Sequence, residues 1–233
     1  MLEALVAGVP VRALYVSGSL SGATRRQIEQ AARDHGVRLL RTDTRELDRM
    51  SDGGVHQGVL AQVALTVQPT LPELMALRGE PRTLILCLDE VQDPRNLGAL
   101  ARSALAFGAT GMVVPGRRSS SVTPAAIKAS AGALCRLPVV TVTNLGQALD
   151  RLQREGFWLA GATAKDARPP WEIDPGDRVA LVLGSEGRGL RQHIEERLDF
   201  RVWIPMRAQS ESFNVSVAGA ILLYEWLGRA RRP

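Results

Sequence analysis

Cysteine is scarce: Cys87 and Cys135 are the only two in 233 residues, each inside an apolar stretch (LILCLD and GALCRL). Both are expected as buried free thiols rather than as a disulfide or a nucleophile. Histidine is nearly as rare, with three residues at positions 35, 56 and 193 in no ligand spacing, so no metal is expected. No apolar run approaches the roughly 20 residues of a membrane-spanning helix, and no membrane partner is expected. The opening MLEALVAGVPVRAL has an acid at position 3 and no cationic start, unlike a secretory signal. Together these absences read as a cytoplasmic protein.

What the chain does contain is ordinary in amount. Hydrophobic residues make up 45% and charged residues 23%, typical of a globular chain long enough for one large domain or two smaller ones. The net charge is +5 and the pI is near 10.0. Of the 29 basic residues only Lys128 and Lys165 are lysine. Arginine suits bidentate phosphate contacts, so the charge favours a polyanionic partner without locating it. Residues 1–70 carry 8 basic and 7 acidic residues and residues 71–233 carry 21 and 17. Neither part is a basic tail.

Residues 11–16 read as a strand, Gly22–His35 as a helix ended by Gly36, and 37–41 and 59–65 as two more strands. Then QPTLPELMALRGEPRT gathers Pro69, Pro72, Gly79 and Pro81, the composition of a linker holding one short helical turn. That divides the chain into a domain at 1–67, a linker at 68–82 and a domain at 83–233. TLILCLD, at 83–89, is a continuous apolar run, the mark of a strand buried on both faces of a parallel sheet. Further strands are expected at 111–115, 138–142, 157–162, 178–184 and 201–205. Helices are expected between them at 96–107, 123–134, 144–155, 189–197 and 214–230. This alternation predicts an α/β fold with a parallel sheet.

Ligands of open parallel sheets bind at the carboxyl ends of the strands, and three loops there have unusual compositions. In DEVQDPRNLGALARSALAFG (89–108), Asn96 stands where a helix N-cap is wanted. Arg102 interrupts an otherwise small and apolar helix, and a buried arginine needs an anion. That anion is either Asp89, Glu90 or Asp93 of the same loop, or a substrate phosphate or oxyanion. In LVLGSEGRGL (181–190), three glycines surround Glu186 and let a ligand approach the backbone. Neither a Walker A loop nor G-x-G-x-x-G is present there, and an ordinary turn explains the glycines equally well. In IPMRAQSESFNVSVAGAILLYEW (204–226), Ser210, Ser212 and Asn214 precede a helix apolar almost all round. They are either caps or contacts to an anion at its N-terminal end. The helix itself belongs in a core or a subunit interface.

Taken in order and spacing, three motifs resemble those of the SpoU (TrmH-like) family of RNA 2′-O-ribose methyltransferases, within the SPOUT superfamily. They are Asn96-x-Gly98-x-x-x-Arg102, Gly184-Ser185-Glu186-Gly187-x-Gly189, and Ile204-Pro205-Met206 followed by Ser212-Phe213-Asn214-Val215-Ser216-Val217-Ala218. Phe213 stands where family members commonly have leucine. The resemblance covers about residues 83–230. It implies a C-terminal trefoil-knotted domain that binds S-adenosyl-L-methionine (SAM) in the knot, without a metal, and a homodimer joined through the last helix. Residues 1–67 resemble the family's small α/β substrate-binding domain, related to ribosomal protein L30e, with its beginning shortened. Ser51 to Gly58 look like that domain's closing turn and strand, and His56 and Gln57 are expected chiefly as turn residues. The pairing implies the branch that methylates a guanosine of 23S ribosomal RNA. The alternatives are a tRNA or antibiotic-resistance rRNA 2′-O-methyltransferase, or a non-catalytic RNA-binding protein of the same fold.

The resemblance also implies the site. Arg102, Asn96, Glu186, Ser212 and Asn214 would be catalytic, and Gly184, Ser185, Ile204, Met206, Ser212, Phe213 and Asn214 would contact the cofactor. A ribose 2′-hydroxyl is a very weak acid, so such a site must stabilise a developing alkoxide and align it with the methyl group. Family proposals make the arginine the base. A guanidinium is effectively always protonated, which suits Arg102 better to electrostatic stabilisation.

Overall fold

A computed structural model describes residues 10–51, 54–63, 68–116, 122–207 and 212–229. Asp52 and Gly53, from the expected closing turn, and Ser210 lie outside the described residues. The chain divides into two compact units, Met1–Val67 and Gln68–Pro233.

The first unit contains β1 (Val11–Ser17), α1 (Gly22–Asp34), β2 (Arg38–Thr42), α2 (Thr44–Met50) and β3 (Val59–Val63). Its sheet has the order β2-β1-β3, with β1 parallel to β2 and antiparallel to β3. Ile28 and Ala32, one turn apart on α1, bury against Leu14 and Val16 of β1. Helix α2 has no apolar stripe to announce it. It starts at Asp43, whose carboxylate accepts from Glu46 N at 2.8 Å, and it buries Leu47. His56 holds the turn before β3: its Nδ1 accepts from Gly58 N at 3.0 Å, and its Nε2 lies 2.9 Å from Asp48 Oδ1.

The second unit holds six strands among its described residues: β4 (Thr83–Leu88), β5 (Gly111–Pro115), β6 (Val139–Val142), β7 (Trp158–Ala162), β8 (Arg178–Leu183) and β9 (Phe200–Val202). They pair in parallel in the order β6-β5-β4-β8-β7-β9. The helices are α3 (Leu71–Ala76), α4 (Pro94–Phe107), α5 (Pro124–Ala129), α6 (Leu145–Arg154), α7 (Gln192–Glu195) and α8 (Val215–Leu223). Because side chains alternate along a strand, β4 feeds two cores. Leu84, Leu86 and Leu88 join Leu181 and Leu183 on one face, and Ile85 and Cys87 join Ala180 and Val182 on the other. The continuous apolar run is thus explained by cover on both faces. Both cysteines are buried and neither forms a disulfide, and burial pushes the Cys87 thiol up to about 12.

Several elements differ from the sequence pattern for local reasons. The stretch expected as a linker belongs to the second unit. There α3 starts at a reciprocal capping box between Thr70 and Glu73 and buries Leu74 and Met75. The helix expected over 123–134 stops at Ala129, because Ala131 and Gly132 take φ of 48° and 83°. The helix expected at 189–197 is a single turn, and the last strand spans three residues. Helix α8 continues as a π-helical turn, Tyr224–Gly228, where Trp226 Nε1 donates to Pro170 O at 3.2 Å.

Helices α4 and α5 approach through Gly98. A Cβ there would lie 2.6 Å from Ala129 Cβ and 2.7 Å from Ser130 N. The glycine is therefore a packing requirement of the first motif. Gly98→Ala is expected to destabilise the protein by about 1–3 kcal/mol through overpacking, despite alanine's better helix propensity. Urea unfolding would measure it, and a variant as stable as the parent would refute the close-contact account.

Candidate active site

Parallel pairing sends the loops after β4, β7, β8 and β9 to one edge of the sheet. From β4 the chain steps outward to β5 and β6, then resumes with β7 on the other side. The boundary between β4 and β8 is where the strand order reverses, the place where open α/β sheets bind ligands.

Three of the expected site residues meet at that boundary. Asn96 Nδ2 donates to Glu186 Oε1 at 2.9 Å. Asn214 Nδ2 donates to Asn96 Oδ1 at 3.2 Å and also to Glu186 Oε1. Asn214 Oδ1 in turn accepts from Ser216 N at 2.9 Å and from Ser216 Oγ at 2.6 Å. Donors and acceptors match throughout: two amides face one carboxylate oxygen, and each amide oxygen has a donor. Asn214 is the N-cap of α8 as its position suggests. Asn96 is not an N-cap, because Asp93 fills that role for α4 by accepting from Arg95 N at 2.8 Å. Asn96 sits one turn inside the helix, 8% exposed, which frees its amide for Glu186.

Arg102 is not part of this cluster. Six residues beyond Asn96 on α4 it lies about 9 Å further along the axis and on a different face. It is exposed, not buried, because α4 buries only the side that carries Leu97, Leu100, Ala101 and Ala104. It forms no hydrogen bond or ion pair with another described residue. The carboxylates considered for it are used elsewhere. Asp93 caps α4, while Asp89 and Glu90 face Arg191, at 2.5 Å from Nη2 and 3.3 Å from Nη1.

The glycine loop is a narrow hairpin. Ser185 N donates to Gly189 O at 3.1 Å and Gly189 N donates to Ser185 O at 3.0 Å. A Cβ on Gly184 would lie 2.2 Å from the Gly189 carbonyl carbon, so the loop folds back on itself over this glycine. Ile204 is half-buried against the core, Met206 is half-buried, and Ser212 and Phe213 are exposed. The residue that sequence reasoning misplaced is Asp89, wholly buried and bonded to Arg191. Its bonding holds the Arg191 guanidinium above its ordinary value. The only sequence signal for that pair was a carboxylate at the end of an apolar strand, with no hint of its partner.

Comparison with known proteins agrees with this architecture. The chain matches the SpoU rRNA methylase family over residues 83–224 and the RNA 2′-O ribose methyltransferase substrate-binding family over residues 1–66. An uncharacterised tRNA/rRNA methyltransferase from Mycobacterium avium (strain 104) is 39% identical over 234 residues, covering 100% of this chain and 75% of its own. The SpoU methyltransferase AviRb from Streptomyces viridochromogenes is similar in structure. It gives a TM-score of 0.74 at 26% identity, over 97% of this chain and 85% of that one. AviRb is also solved in complex with AdoMet, with a TM-score of 0.73 at 24% identity, covering 98% and 86%. A unit that matches the SpoU rRNA methylase family, preceded in sequence by one that matches the substrate-binding family, defines an RNA methyltransferase. The chain belongs to the SpoU rRNA methylase family.

The cluster makes a testable demand on charge. Asn96→Asp would set a second carboxylate against Glu186, raising the folded-state pKa of the pair above its unfolded value. The penalty, about 1–3 kcal/mol for the lost donor, is then fully present at neutral pH and shrinks as pH falls through the raised pKa. The urea midpoint of the variant should therefore lie below the parent's at pH 7.5 and approach it at pH 5. A gap independent of pH would rule out carboxylate repulsion.

Proposed function

We propose that the protein transfers the methyl group of SAM to a ribose 2′-hydroxyl of RNA, a guanosine of 23S ribosomal RNA. The observation that carries this reading is the hydrogen-bonded set Asn96, Glu186 and Asn214, one residue from each motif, at the reversal of strand order. SAM, when bound, supplies an electrophilic methyl on a sulfonium and leaves as a neutral thioether. The residues present suit it. Phe213 is 40% exposed although apolar, and with part-exposed Ile204 and Met206 it offers a rim for a purine face. Gly184 and Ser185 offer backbone groups, and Ser212 and Asn214 offer polar ones.

Glu186 Oε1 is occupied by two amides, which keeps the carboxylate from swinging and leaves Oε2 to accept from the substrate. Arg102, exposed and charged, takes an RNA phosphate and steadies the developing alkoxide, while the hydroxyl proton passes to solvent water rather than to the guanidinium. The reading includes the family's knot, a cytoplasmic location and a homodimer. For the dimer the support is α8, where Val217 is 45% and Tyr224 42% exposed, in a groove also lined by Ala99, Ser103, Ala220 and Ile221. A second copy of the same face would cover it.

Mapping 2′-O-methylated positions in 23S RNA with and without the protein tests the substrate; new methylation in tRNA alone would select the alternative. In a tritiated-SAM assay, Arg102→Ala should lower turnover by about 100-fold or more with SAM affinity nearly unchanged. Substantial retained turnover would sink that role. Val217→Arg should move the sedimenting mass from dimer to monomer, and a parent protein already at monomer mass would end the dimer reading.

A further inference from the structure

The loop 184–190, which carries Glu186, begins after Leu183 and ends before Arg191. One residue from the neighbouring strand end holds both of these points. The backbone N–H of Asp89 donates to Leu183 O at 2.7 Å. The Asp89 carboxylate accepts from the Arg191 backbone N–H at 2.9 Å and from Arg191 Nε at 2.8 Å. Arg191 Nη1 also lies 3.3 Å from Glu90 Oε1. Asp89 is 0% exposed, and a carboxylate so placed is tolerated only when paired and hydrogen-bonded.

Inside the loop Glu186 is held by Asn96 and Asn214, and the other constraints are weaker. Its own bridge joins only Ser185 to Gly189, and Gly187 and Gly189 take φ of 82° and 68°. Glycines leave such a segment many competing conformations. The anchoring of its entrance and exit therefore acts together with the Glu186 contacts to fix where the loop sits.

We propose that Asp89 and Arg191 are positioning residues, a clamp that holds loop 184–190 in the conformation that receives SAM. This rests on the cofactor reading above. Neither residue belongs to the three motifs, and neither is proposed to touch the reacting atoms. With the clamp weakened, the loop populates its receptive conformation less often, and the apparent dissociation constant for SAM rises by the inverse of that population. Once SAM is bound the site is assembled as before. The defect appears in KM and leaves kcat in place. Simple unfolding does the reverse, because it removes active molecules and lowers apparent kcat at constant KM.

The test uses the full chain as parent, Arg191→Ala, Arg191→Lys and Asp89→Asn. SAM affinity is measured by calorimetry, KM and kcat by methyl transfer, and folding by thermal midpoint. Arg191→Ala should raise the SAM Kd and KM about tenfold, with kcat within about twofold. Arg191→Lys keeps the charge but not the planar fork, and should recover part of the loss. The Arg191 side chain is 35% exposed, so the lysine variant keeps the fold even where Asp89→Asn does not. A folded Arg191→Lys and Arg191→Ala pair with parental SAM affinity would overturn the clamp, as would a kcat loss at unchanged KM. Failure of the parent itself to bind SAM would instead overturn the cofactor assignment, and this role with it.

Discussion

The parallel pairing of β4 with β8 governs the rest of the second unit. Six residues of each strand are in register, from Thr83 opposite Arg178 to Leu88 opposite Leu183. Their side chains fill both cores, so a shift of one residue would exchange the two faces and misplace every side chain in both. That pairing also places the end of β4 beside the end of β8. Residues about 90 positions apart in sequence, Asn96 and Glu186, come within hydrogen-bonding distance as a result.

At this junction polar groups are arranged so that each satisfies another. Two asparagine amides converge on one oxygen of Glu186, and a helix N-cap supplies the second asparagine. Asp89 lies deeper and is met by the Arg191 side chain and backbone. One carboxylate is half in solvent with an oxygen to spare, and the other is wholly inside with its bonds consumed. The difference in burial separates the two: the exposed one keeps an oxygen beyond its amide partners, and the buried one is bonded to the backbone that follows the loop.

Exposure tells a parallel story for α4 and α8. Helix α4 was expected to be buried and α8 to lie in a core or a subunit interface; within this chain each buries one side, on Leu100 and Gly219 among others. A Cβ on Gly219 would lie 2.4 Å from Leu100 Cδ2, which lets the two helices pack closely. Their outer faces keep Arg102 on one helix and Val217 and Tyr224 on the other.

How much of this was legible follows from the range of the forces involved. Local pattern alone marked the buried strands, the Gly36 stop, the Asn214 cap and the three loops, since these depend on periodicity and on a residue's nearest neighbours. Helix α2 was missed because its start is a single cap, Asp43, without an apolar stripe behind it. Asn96 was open to two readings, cap or contact, and Arg102 was expected to be buried. Both turned on which side of α4 meets the sheet, a property of packing rather than of spacing. The sequence by itself determined which residues were available for chemistry and which strands lay inside. Only the tertiary structure decided that Asp89 belongs to Arg191 and Asn96 to Glu186, because hydrogen bonds across a sheet depend on which strand lies next to which.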